Sequence, residues 1–140
     1  MLRTLVAAPR QKPHSRRAGQ HREGGMIALR VFLVAAWIVL ITYTGVVVAR
    51  HGLGFLPVFF DDIASGHWPG QFNLDFSCLL LLAALWTAWR NSFSGVGMVL
   101  AIIAFVGGAG FLLPYLAVLT ITTRGNMASV LLGPARASQV

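Results

Sequence analysis

Asp61, Asp62 and Asp75 are three of the four acidic residues in a chain of 140, and they fall with His67 and Asn73 in one stretch, "FFDDIASGHWPGQFNLDF", residues 59 to 76. Carboxylates, an imidazole and an amide this close together suit two kinds of chemistry. Oxygen ligands at the mouth of a helix bundle can hold a magnesium ion against a phosphate, and an acid inside a membrane segment is a candidate for proton or ligand handling. Asp61, Asp62 and Asp75 are therefore the catalytic candidates that the sequence offers. The same residues also have local structural roles. Pro57 fits the first position of a short helix and Gly66 its stop. Over 57–65 that helix sets Phe59, Phe60 and Ile63 on one side with Asp61 and Asp62 turned away, a pattern suited to lying in the membrane interface. "HWPG" reads as a turn with Trp68 at head-group depth, Asn73 as the N-cap of the next helix and Asp75 in its first turn, where the helix dipole favours a carboxylate. The structural reading is preferred, since it accounts for every polar residue and no second acidic motif follows. No metal site and no cofactor are assigned.

The elements that must position these residues are membrane helices. The chain is 56% hydrophobic and only 11% charged, against about 25% charged in soluble domains, and its mean hydropathy is +0.72. Residues 31–49 are free of charge between Arg30 and Arg50 and span about 28 Å as a helix, enough for a bilayer core. A second apolar stretch covers 72–89, closing on Trp89 and Arg90, and a third covers 97–121. The spacing predicts an all-α membrane protein: three transmembrane helices, with a short interfacial helix in the first loop. A second arrangement splits the third stretch at "GGAGFLLP", where Gly107, Gly108 and Gly110 precede Pro114. Neither half alone could cross, so this would be a broken helix inside a bundle.

The formal charge of +7 would suggest nucleic acid if it formed a folded basic face, but seven of the eleven cations lie within the first 30 residues. No aromatic residues sit between them for base stacking, so no nucleic-acid partner is expected. Residues 1–25 read as a disordered basic tail, 26–123 as the membrane domain and 124–140 as a short C-terminal tail. The tail matches a secretory signal or a twin-arginine signal poorly, whereas a mitochondrial transit peptide stays open, since the tail is rich in Arg and has no acid before Glu23. Met26 stands where a compact membrane protein would begin. The basic excess places the N-terminus on the cytoplasmic side of the inner membrane. Three crossings then put the C-terminus outside, together with residues 50 to 75, whose one Arg and three Asp sum to 1 − 3 = −2.

Small residues recur on the apolar segments. Ser77 and Ala84 lie with Asn73, Ala88 and Asn91 on one side of the second span, and Gly97, Ala101, Ala104 and Gly108 line the third. Such stripes are the usual packing faces of membrane helices. Thr42, Tyr43 and Thr44 could bond to neighbouring helices in the same way. Cys78 stands alone, which suits a buried structural thiol. Sequence motifs for a serine nucleophile elbow, a zinc protease pair, a phosphate loop or haem attachment are absent, and none of the four histidines falls inside a span.

The runs "HGLGFLPVFFDDIASGHWPGQFNLDF", "LLLLAALWTAWR" and "GGAGFLLPYLAVLT" resemble a family of small uncharacterised bacterial integral membrane proteins. The likeness covers about residues 26–123: an apolar first span, a loop rich in Gly and Phe, an N-x-D-like start to the next span and a last span with Gly and Pro. The chain departs from the pattern after the last span, where Arg124 stands alone. The resemblance implies location and fold and carries no activity. The expected role is an accessory or packing subunit of a membrane complex, with the bilayer and either a membrane protein or further copies of the chain as partners. The rival reading is a small membrane enzyme or transporter for a lipid-like or isoprenoid substrate, and the balance leans against an enzyme.

Overall fold

A computed structural model describes residues 14–139, with side chains described from residue 24 onward. Residues 1–13 of the tail expected to be disordered, and Val140, lie outside that description. Six helices follow in order: α1 (His14–His51), α2 (Phe55–Ser65), α3 (Trp68–Arg90), α4 (Gly95–Thr122), α5 (Met127–Leu132) and α6 (Pro134–Ala137). Among the described residues there is no strand. Three helices, α1, α3 and α4, are long and apolar enough to cross a membrane, so the chain is an all-α, multi-pass membrane protein.

α1 begins well before its apolar part, so residues 14–25 are helical where the sequence predicts disorder. Pro13 is the last proline before Pro57, and extending a helix costs far less than nucleating one. α2 starts two residues earlier than the pattern predicts, with Pro57 still in its first turn, and Gly66 ends it at φ 68°. That left-handed cap is a conformation glycine adopts without penalty. α3 also starts early. His67 is its N-cap and Pro69 sits in its first turn, where the missing N–H has no helical partner to lose. "HWPG" therefore opens the helix instead of forming a separate turn. Asn73 is not the N-cap, and Asp75 lies two turns in. Gly70 is where α2 crosses α3, since a Cβ there would collide with the Asp62 carbonyl.

α4 is interrupted. Ser94 caps it by accepting from the Gly97 amide at 3.1 Å, but Gly108 has φ 50° and ψ −134°, outside helical space. Only glycine reaches that conformation at low cost. The break turns the chain back on itself. Asn91 bonds the Tyr115 hydroxyl at 3.0 Å and also lies against Gly97. An unbroken helix would hold Gly97 and Tyr115 about 27 Å apart, far more than one asparagine and one tyrosine can bridge. Gly108 itself packs on Leu80, roughly 15 Å along α3 from Arg90. The first half of α4 runs antiparallel to α3 and the second half runs parallel to it. Each half is about 20 Å long, short of a hydrocarbon core of about 30 Å.

The second half of α4 is also tied to α1. Arg30 donates to the Thr120 carbonyl at 2.6 Å, and Trp37 donates to the Gly110 carbonyl at 3.0 Å. The hairpin therefore starts and ends at the level of Arg30, the end of the bundle from which α1 sets out, and α5 and α6 cover that same end. Both described termini lie on one side. The expectation of a C-terminus opposite the N-terminus took the third segment as one straight helix; it is broken at Gly108, and its C-terminal end stands beside Arg30 of α1.

The turn rests on one glycine, which yields a sharp prediction. In Gly108→Ala the new Cβ meets Leu80 at 3.0 Å in strained backbone, whereas a straightened α4 of 28 residues is about 42 Å long and can cross. Ser138→Cys introduced beside it becomes labelled by a membrane-impermeant thiol reagent from the far side. In the otherwise native chain, labelling stays on the side of the α1 N-terminus.

Candidate functional site

The acidic residues do not converge. Asp61 and Asp75 are exposed. Asp62 is half-buried and accepts from the Asn73 side-chain amide at 3.3 Å; the same amide donates to the Phe59 carbonyl, also at 3.3 Å. Asn73 thus ties α2 to α3 instead of capping a helix. On α2, Phe59 and Ile63 are half-buried as the pattern predicts, but Phe60 is exposed and Asp62 has turned inward, because the Asn73 amide offers its carboxylate a donor. His67 is exposed. Among the described residues no three His, Cys, Asp or Glu side chains gather as a metal site would require.

Other residues expected to pack lie as follows. Gly97, Ala101, Ala104 and Gly108 are buried, and Ser77 and Ala84 are half-buried. Ala104 has no exposed surface at all. Ser77 bonds the Asn73 carbonyl of its own helix at 2.8 Å. Thr42, Tyr43 and Thr44 are exposed and bond no neighbouring helix among the described residues, and Cys78 is exposed as well. The hairpin turns back at mid-depth, so the outer half of α1 has no helix beside it to meet.

The polar centre of the molecule lies at the opposite end, among residues the motif search passes over. Arg90 is only 6% exposed. Its Nε donates to the Val130 carbonyl at 2.6 Å, its Nη2 to the Ser129 carbonyl at 3.1 Å and its Nη1 to the Tyr115 hydroxyl at 3.3 Å. Those carbonyls belong to the last turn of α5, whose C-terminal dipole attracts a cation. Arg136 donates to the Trp89 carbonyl at 2.6 Å in the last turn of α3 and stacks over the Trp89 ring at 4.3 Å. Arg30 does the same for α4, with its Nε also reaching the Thr120 hydroxyl at 3.2 Å. Three arginines thus cap three helix C-termini, and carbonyl dipoles stand where a carboxylate would be. A guanidinium suits this work because its planar fork serves two acceptors at once.

Tyr115 joins these ties to the turn of α4. Its hydroxyl accepts from Arg90 and Asn91, its ring stacks on Phe111 at 5.3 Å and meets Trp86 edge-on at 6.3 Å. Gly133 lies so close to the Arg90 carbonyl that a Cβ would clash, which brings α5 and α6 down onto α3. One part of this network was readable in advance. Pro114 has no N–H, so the Gly110 carbonyl four residues earlier loses its helical donor, and the Trp37 indole supplies the replacement. The arginine ties leave no such trace, since nothing in the spacing tells a helix-capping arginine from one at the membrane surface.

No protein-family model, curated protein or solved structure matches the chain.

Two predictions follow from these ties. Trp37→Phe keeps the ring and loses the donor, leaving the Gly110 carbonyl unpaired within the apolar layer, at a cost of about 1–3 kcal/mol. Thermal unfolding in bicelles reads this, and Trp68→Phe at an exposed position changes little beside it. Arg90→Lys loses the fork that spans α5 and Tyr115 together. α5 and α6 then loosen, and limited trypsin digestion cuts at Arg124 several times faster than in the native chain.

Proposed function

We propose that the protein is an accessory or packing subunit of a membrane complex, set in the bacterial inner membrane with both ends on the cytoplasmic side. The observation that carries this reading is the use made of the interior polar groups. Arg30, Trp37, Arg90, Asn91 and Tyr115 all bond within the chain, and no buried side-chain nitrogen or oxygen among the described residues lacks a partner. The bundle is a self-satisfied scaffold, and its unused surfaces face outward. The lipid-substrate reading loses support on the same geometry, because Asp61, Asp62 and Asp75 point to different surroundings and Asp62 is engaged by Asn73.

Orientation is supported by the fold-back of α4. Arg30, Arg90, Arg124 and Arg136 stand toward the end where α1 begins, and only Arg50 stands toward the other, a ratio of four to one even without the N-terminal tail. Lysine and arginine near span ends favour the cytoplasm. A C-terminus returned to that side adds its arginines to those of the N-terminus instead of opposing them.

Two measurements test the proposal. A fluorescent protein that matures only in the cytoplasm, fused after Val140, gives full signal, and a periplasmic phosphatase fused there stays inactive; the reverse result refutes the orientation. Purification from the source membrane in native lipid returns the chain in stoichiometric association with membrane polypeptide, either another protein or further copies of itself. A solitary chain carrying a bound lipid-like substrate would overturn the subunit reading.

A further inference from the structure

The outer faces of α1 and α3 each carry a charged residue that nothing among the described residues pairs. On α1, Thr42, Val46 and Arg50 follow one another at four-residue steps and are exposed. Thr42 is nine residues, and so half a turn round, from the buried Leu33. On α3, Asp75, Cys78 and Leu82 form a row at three- and four-residue steps, also exposed. Asp75 is in turn nine residues from the half-buried Ala84. The α4 hairpin stands between the two helices, bonded to α1 through Thr120 and Gly110 and packed on α3 through Gly108 and Tyr115. The two rows therefore lie at opposite ends of the molecule, where one chain cannot bring them together.

Their depths match. Thr120, which Arg30 bonds, and Tyr115, which Arg90 bonds, are five residues apart on α4, so Arg90 stands about 7.5 Å nearer the far end of the bundle than Arg30 does. Arg50 lies twenty residues, about 30 Å, beyond Arg30, and Asp75 lies fifteen residues, about 22.5 Å, beyond Arg90, which with that offset brings the two charges to about one depth. Val46, sixteen residues beyond Arg30, and Cys78, twelve residues beyond Arg90, then sit within about 2 Å of one depth. A carboxylate on a lipid-facing position is costly unless it is paired. Among the described residues, Arg50 is the one arginine in the half of the bundle where Asp75 stands.

From this we infer that the protein assembles with copies of itself, head to tail, with the Thr42–Val46–Arg50 row of one copy packed on the Asp75–Cys78–Leu82 row of the next and Arg50 paired with Asp75 across the contact. The inference rests on the packing-subunit reading and names the partner as a second copy. A second copy inserted with the same sidedness presents its arginine at the depth this carboxylate needs. Because the two faces differ, the contact is heterologous, and its repetition gives closed rings or open rows instead of a symmetric pair.

The test uses the full chain in native membranes. Mild oxidation of Val46→Cys links it to Cys78 of the neighbour and gives a ladder extending beyond dimers, while the unsubstituted chain gives none. In native mass spectrometry from lipid nanodiscs, Asp75→Asn or Arg50→Gln lowers the oligomer about tenfold, the loss expected for a charge pair worth about 1.4 kcal/mol. The swap of Arg50→Asp with Asp75→Arg restores what each of those changes alone removes. A wild-type disulfide dimer through Cys78, oligomers indifferent to the charge changes, or a swap that fails to restore them while both chains insert normally would overturn the inference. Copies that stay apart while a different membrane protein binds stoichiometrically would refute this inference and leave the subunit reading standing. A chain that stays solitary would remove both.

Discussion

A carbonyl without a donor in the middle of a bilayer is the constraint from which most of this structure follows. Water is absent there, so every backbone group must find its partner within protein. The second half of α4 carries Pro114, which cannot donate to Gly110, and Gly108 breaks the helix just before it. Such a segment cannot stand in lipid unaided. Trp37 of α1 donates to the freed carbonyl at 3.0 Å, and Leu80 of α3 packs on the turn. The hairpin thus depends on having α1 on one side and α3 on the other, which makes α4 the centre of the fold although it is the least regular helix.

The same demand recurs where the helices end. The last carbonyls of α3, α4 and α5 have no helical donors, and Arg136, Arg30 and Arg90 respectively reach them. Each arginine therefore serves twice, closing a helix end and neutralising its own charge with dipoles. This arrangement separates charge along the membrane normal. Arginines gather where the hairpin opens, and the three aspartates lie in the half that the hairpin does not reach.

The acidic stretch shows how far local pattern reaches. Gly66 as a left-handed stop and the apolar side of α2 at Phe59 and Ile63 were legible, since both depend on residues within one or two turns. The roles of Asn73 and Asp75 were not. Helix α3 begins at Trp68 because Pro69 is tolerated in a first turn, and that shift of four residues carries Asn73 away from the cap and onto α2. The burial of Asp62 likewise depends on an amide eleven positions away, on a different helix.

Hydrophobic length, charge scarcity and small-residue spacing are properties of the chain itself. From them come the membrane location, the three apolar helices, the short helix in the first loop and the glycines at which the third segment can break, because each reflects short-range periodicity and the thickness of a bilayer. Whether that segment crosses or turns back is not a local property. It is decided by the match between a proline-freed carbonyl and a tryptophan 73 positions earlier, and between Arg90 and a helix end 40 positions later. The return of the end of α4 to Arg30 and the burial of Arg90 both follow from those long-range bonds, which become possible only once the helices are side by side.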